Sequence, residues 1–183
     1  DPDFNKETHM PHKDRIIFKN IIEIKNLSFS YENNNNIIEQ LNLSIRKGSV
    51  IGLIGESGTG KTTLLNLFLG LLKPKEGSIS IDGKEISENL DGWKSILSYV
   101  PQDIHFLDSS LKNNIAFGQF DSDIDNEQIL KSIKLSKIDT FINKFEDGLD
   151  TNIGERGMKI SGGQKQRIGI ARALYFDPQI LIM

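Results

Sequence analysis

Gly55, Glu56, Ser57, Gly58, Thr59, Gly60, Lys61 and Thr62 fit the pattern G-x-x-x-x-G-K-[ST]. Glycines at this spacing let backbone N–H groups converge on phosphate oxygens with no Cβ in the way, forming a nest for an anion. A helix opening at Lys61 would aim the positive end of its dipole, about half an elementary charge, at the same oxygens. Lys61 would reach the β and γ phosphates, and the Thr62 hydroxyl would ligate Mg²⁺. A flexible glycine turn would share the composition. Each glycine, however, costs roughly 0.5–1 kcal/mol of backbone entropy relative to alanine, and several so close together need a reason.

The chemistry requires a strand before the loop and a helix after it, and the local pattern offers both. Residues 49–54 are a continuous apolar run, expected to be a strand buried on both faces. Residues 61–72 read as a helix stopped by Lys73-Pro74. Upstream, residues 1–20 are polar and without period, a linker. Residues 21–30 and 37–46 alternate apolar and polar as two strands, joined at an Asn-rich turn over 33–36. Downstream come a short strand at 78–82, a helix at 90–96 and a strand at 97–100. The stretch 103–159 has a mostly helical pattern, clearest at 126–135 and 137–145. A final helix runs from Ser161 to about Tyr175, broken by Asp177-Pro178 before a last apolar strand.

Composition narrows the class. The 183 residues suffice for one domain, with 37% hydrophobic and 26% charged residues. A net charge of −3 gives no electrostatic case for nucleic acid. The absence of cysteine excludes a disulfide scaffold and a thiolate zinc site. The longest apolar stretch, 64–72, is interrupted by Asn66 and Gly70 and falls far short of the roughly 20 residues of a membrane helix. A guanine-reading Asn-Lys-x-Asp segment is not found; Asn143-Lys144-Phe145-Glu146 fails at its last position.

A second helix start carries the same kind of chemistry. Ser161 is a good N-cap, and Gly162 and Gly163 would expose N–H groups beside it. The run Ile160-Ser161-Gly162-Gly163-Gln164, followed by Lys-Gln-Arg167-Ile-Gly-Ile-Ala-Arg-Ala-Leu, resembles the signature motif of ABC ATPases, with Ile160 in place of the usual Leu. The resemblance covers roughly residues 20–183. It implies an α/β fold: a P-loop NTPase (RecA-like) core, an N-terminal antiparallel β subdomain, and a mostly helical insertion over about 103–160. In that family the signature of one copy closes over ATP held by the other in a head-to-tail dimer. The resemblance therefore implies ATP contacts in trans for Ser161, Gly162, Gly163 and Gln164.

Three further segments are similar to the same family. Phe29-Ser30-Tyr31 resembles the aromatic loop in which Tyr31 would stack on adenine, worth about 0.5–1.5 kcal/mol beyond area burial. Tyr99-Val100-Pro101-Gln102 resembles the Q-loop, whose glutamine touches Mg²⁺ and the attacking water; an amide oxygen suits a hard cation. Gln102 is thus the implied catalytic residue present, and Thr62 and Gln102 the implied metal ligands. The nucleotide contacts implied in cis are Tyr31, the loop from Gly55 to Thr62, and Thr63. Thr151-Asn-Ile-Gly154-Glu155-Arg156-Gly157 and Phe106-Leu-Asp-Ser-Ser-Leu-Lys-Asn-Asn-Ile-Ala-Phe-Gly118 look like exporter versions of their regions, though Asn152 stands where the pattern has Glu.

The resemblance implies an ATP-driven exporter at the cytoplasmic face of a membrane, with a second ATP-binding domain and a membrane domain as partners. The chain itself is expected to be soluble. A soluble ABC ATPase of DNA repair or translation is the competing reading, but it would favour long coiled-coil heptads in the insertion or tandem ATPase cassettes, and neither is visible in this sequence. In the family, the strand near Ile180 ends in Asp-Glu, the Mg²⁺-supporting acid and the general base. The sequence stops at Met183, so the expectation is an incomplete domain that binds Mg·ATP and hydrolyses it poorly. His105 precedes the signature and does not match the family's switch histidine; with His9 and His12 it reads as a surface residue.

Overall fold

Strand β1 (Ile21–Phe29) has an antiparallel partner on each side, so backbone groups along both of its edges enter ladders. In the computed structural model, which describes residues 16–31, 36–154 and 160–183, the chain divides into two units, Asp1–Ile96 and Leu97–Met183. Thus 1–15 of the expected linker, 33–35 of the Asn-rich turn, and Glu155, Arg156 and Gly157 lie outside the described residues, as do His9 and His12.

In the first unit the sheet order is β2-β1-β3-β4, with β2 (Ile38–Arg46), β3 (Glu76–Ile81) and β4 (Lys84–Glu85). Ile22 pairs with Ile45 and Ile81, and Ile24 with Leu43 and Ile79, so one face collects β-branched side chains from three strands. Ladder register shifts after Lys25, where Asn26 takes a φ of 48°. Helix α1 (Lys61–Phe68) ends earlier than its apolar pattern suggests, because the chain turns at Gly70 and the N–H groups of Leu71 and Leu72 fold back onto the Asn66 carbonyl. The short α2 (Leu90–Lys94) brings Trp93, fully buried, edge-on to Phe68 at 5.2 Å, and its indole N–H donates to the Phe68 carbonyl at 2.7 Å.

The stretch leading into β1 is fastened down. The Asp82 carboxylate accepts N–H bonds from Lys19, Asn20 and Ile21 at 2.6, 2.8 and 2.9 Å, while the Lys47 ammonium donates to the Phe18 carbonyl. Burial pushes the Asp82 carboxyl up, but the three backbone donors and the nearby Lys19 charge outweigh it and hold the group below its ordinary value. A depressed folded-state value adds stability above the unfolded-state value, and that contribution is lost as pH falls through the folded one. Asp82→Asn weakens these three accepted bonds, so it should cost about 1 kcal/mol near neutrality and flatten the acid limb of a melting-temperature profile below the ordinary carboxylate range. An unchanged acid limb would remove Asp82 as its source.

Residues 49–54 do not form the expected strand. Among the described residues nothing pairs with them, and Val50 and Ile54 are each 98% exposed. Apolar sequence signals a need for cover, but a strand forms only where neighbours accept its backbone hydrogen bonds, and this unit's sheet runs from β2 to β4 without it.

The second unit pairs β5 (Leu97–Tyr99) with β6 (Ile180–Ile182) in parallel, extended by a bond from Val100 N–H to the Ile182 carbonyl. Its helices are α3 (Leu111–Ile115), α4 (Asn126–Ser136), α5 (Asp139–Ile142) and α6 (Gly162–Tyr175). Helix α4 is capped by Asp125 and stopped where Lys137 turns left-handed at φ 61°. That turn shortens the helix expected over 137–145 to α5. Leu111, Ile115, Ile129, Ile138, Ile153 and Ile168 are fully buried in one cluster joining α3, α4 and α6, each worth about 1.5–3 kcal/mol relative to exposure.

Candidate functional site

The phosphate loop lies in the first unit. Gly58 and Gly60 adopt φ of 84° and 89°, and Gly60 also leaves room for Ile37, whose Cγ2 would stand 2.7 Å from an added Cβ. Gly60 is the left-handed N-cap of α1, with no side-chain bond to the helix start. The first N–H groups of α1 are therefore left by the protein to an external acceptor. The Lys61 ammonium folds over the loop, donating to the Gly55 carbonyl at 2.8 Å and to the Glu56 carbonyl. Thr59 Oγ1 donates to the Glu56 carbonyl at 2.9 Å and closes the turn. The Thr62 hydroxyl is exposed and bonds to no protein group among the described residues. This donor set of glycine N–H groups, one ammonium and one hydroxyl fits a polyphosphate with its divalent cation.

Tyr31 is brought to the same helix. Its ring stands edge-on to Phe29 at 5.0 Å, and its hydroxyl lies 3.4 Å from the buried Thr63 Oγ1. With 43% of the residue exposed, the ring has area left for a flat heteroaromatic. Thr63 itself faces Tyr31 through its side chain, so only its backbone N–H remains for phosphate.

Gln102 and the second helix start lie in the second unit. Gln102 is exposed just beyond β5. Ser161 caps α6 in a reciprocal box: its N–H donates to Gln164 Oε1 at 2.8 Å, and its Oγ accepts from Gln164 N–H at 3.4 Å. Ser161 thus forms the cap that its residue type offers, whereas α1 has no side-chain cap. Gly162 and Gly163 are exposed, with nothing within 4 Å of an added Cβ. Ile160 is buried in the helical cluster, so it supplies the apolar anchor that Leu would.

The exporter-like stretches meet. Ser110 bridges Asn152, Leu111 N–H donates to the Thr151 carbonyl, and Ile153 N–H donates to the Ser109 carbonyl. Asn114 is fully buried: Oδ1 accepts from Leu107 N–H at 2.9 Å, and Nδ2 donates to the Leu107 and Ser110 carbonyls. Arg172 donates to the Asn114 and His105 carbonyls, each at 2.9 Å. Neither residue was assigned a role from sequence. The signal was there in periodicity: Asn114 lies between Leu111 and Ile115 on a buried face, and Arg172 one turn after the buried Ile168. The second unit also places Arg167 against the end of α4, donating to the Lys137 carbonyl and Thr140 Oγ1.

Residues 38–183 match the family model described as ABC transporter. Among curated proteins, the chain is 41% identical over 165 residues to ABC transporter B family member 1 of Dictyostelium discoideum, covering 88% of the chain and 18% of that protein. It is 40% identical over 172 residues to the ATP-dependent lipid A-core flippase of Legionella pneumophila, covering 93% of the chain and 29% of that protein. Among solved structures it resembles a bacterial Atm1-family exporter with ATP bound, at TM-score 0.81 and 32% identity, over 95% of the chain and 30% of that one. The chain thus spans only 18 to 30% of these relatives' lengths.

Proposed function

The chain belongs to the ABC transporter family, and from that membership we propose that it is the part of an exporter that grips Mg·ATP and passes the energy of binding and hydrolysis to a membrane domain. The observation that carries this is the start of α1, which has no side-chain cap, with Lys61 folded across the glycine loop onto the Gly55 and Glu56 carbonyls. Tyr31 is the adenine platform, Thr62 and Gln102 the Mg²⁺ ligands, and Gln102 the residue beside the attacking water. Ser161, Gly162, Gly163 and Gln164 close over nucleotide held by a second copy or a homologous domain. The working location is the cytoplasmic face of the membrane. Among the described residues no helix is long and apolar enough to cross it; the membrane domain as partner follows from the exporter relatives. The export reading is favoured over a soluble ATPase because the relatives are described as a lipid flippase and an exporter.

Calorimetry on the wild-type chain and Ser161→Ala tests the two-ended model. Both should bind Mg·ATP with constants within about twofold, since the Ser161 hydroxyl serves the partner's nucleotide. The ATP-dependent dimer, followed by light scattering, should form in the wild type and be lost in Ser161→Ala despite its retained affinity. If Ser161→Ala loses nucleotide as completely as Lys61→Ala, the head-to-tail arrangement is wrong.

A further inference from the structure

Arg172 occupies an unusual place for a cation on a helix whose neighbouring side chains are buried. Its guanidinium lies over the Phe106 ring at 5.3 Å and over the Phe117 ring at 4.8 Å from each centroid. In its own plane Nε donates to the Asn114 carbonyl, Nη1 to the His105 carbonyl, and Nη2 to Asn114 Oδ1 at 3.3 Å. Among the described residues no carboxylate pairs with it. Its charge is met by carbonyl dipoles and ring faces, and burial holds the guanidinium below its ordinary value. A planar fork with donors along its edge suits this arrangement, and an ammonium does not reproduce it.

We infer that Arg172 is a positioning residue that locks residues 105–117, beginning three residues after Gln102, onto the helix that begins at Ser161. The inference rests on the proposed roles of Gln102 and Ser161. The locked stretch is already internally stiff, because Asn114 stitches Leu107 and Ser110 to α3. Arg172 adds a polar link from that stitched loop to α6, beside the apolar cluster that already joins α3 to α6. A displacement at the loop following Gln102 is then carried to the signature end of α6 without slack, and the two respond to nucleotide together.

The chain contains no cysteine, so spin labels placed through Leu107→Cys and Gln166→Cys, both at exposed positions, report the distance from loop to helix without background. The wild-type pair should give a narrow distribution. Arg172→Ala should broaden it about twofold or more, and Arg172→Lys should stay broad because it cannot restore the planar fork. Phe117→Leu, at a half-exposed position, removes one ring face with little risk to folding and should broaden it partly. Mg·ATP affinity of the chain should stay within about twofold in all three, while in the intact transporter Arg172→Ala should lower kcat about tenfold with KM nearly unchanged. Equal widths in wild type and Arg172→Ala would overturn the inference. So would broadening seen only with loss of helical circular dichroism, and so would an unaltered width in Phe117→Leu. Failure of the wild-type chain to bind ATP would instead refute the proposed function and leave the distance measurement standing.

Discussion

Lys61→Ala is expected to abolish measurable Mg·ATP binding by the chain. The Lys61 ammonium is the one side-chain cation hydrogen-bonded inside the loop among the described residues, held by the Gly55 and Glu56 carbonyls. Alanine removes the charge that answers the β and γ phosphates and leaves those carbonyls facing the incoming oxygens. A charge-assisted bond is worth about 1.5–3 kcal/mol net, so the dissociation constant should rise by about one to two orders of magnitude before the repulsion is counted. Calorimetry decides it, with melting temperature as the control. The loop is on the surface, and the variant should melt within about 2 °C of wild type. Retained affinity in Lys61→Ala would sink the reading of residues 55–62 as the nucleotide grip.

Gly77→Ala should be among the most destabilising single-atom changes in the first unit. Gly77 has a φ of 78° and faces the register shift of β1, where an added Cβ would fall on the backbone carbonyls of Lys25 and Asn26. Backbone in a ladder does not swing aside as a side-chain end does. Left-handed geometry alone costs an L-residue roughly 1–2 kcal/mol, and the collision adds to it, for an expected loss of about 3 kcal/mol or more in denaturant unfolding. Gly83→Ala supplies the comparison. It has a similar φ of 84° with nothing within 4 Å of the added Cβ, so it should cost only about 1 kcal/mol. Equal losses would show that conformation, and not the Lys25–Asn26 contact, sets the requirement for glycine at position 77.

Much of the site was legible because its signals are local. The left-handed glycines, the lysine opening α1 and the serine opening α6 all act within a few residues of themselves, and their places follow from spacing. Strands β1 and β2 were legible for the same reason, since alternation records which face is covered. The misses were of another kind. Residues 49–54 carry the composition of a buried strand, but pairing depends on a neighbour that no property of the run itself describes. Helix α1 ended early because of the turn at Gly70, and the 137–145 helix shrank because Lys137 goes left-handed, a conformation its residue type does not announce. Arg172 and Asn114 were passed over since charge and amide are read as surface chemistry until a cluster of carbonyls is found around them.

The exposed run beside the phosphate loop has a practical meaning. Val50, Ile51, Leu53 and Ile54 present apolar side chains on a strand-length segment whose peptide groups have no ladder among the described residues. Such a segment is an adhesive: any extended chain that meets it gains hydrogen bonds along its length and sheds apolar surface in the same step. The stretch leading into the glycine loop is thus also a point of colloidal risk. Covering it early, by a pairing strand or a holdase, should therefore raise the yield of folded chain.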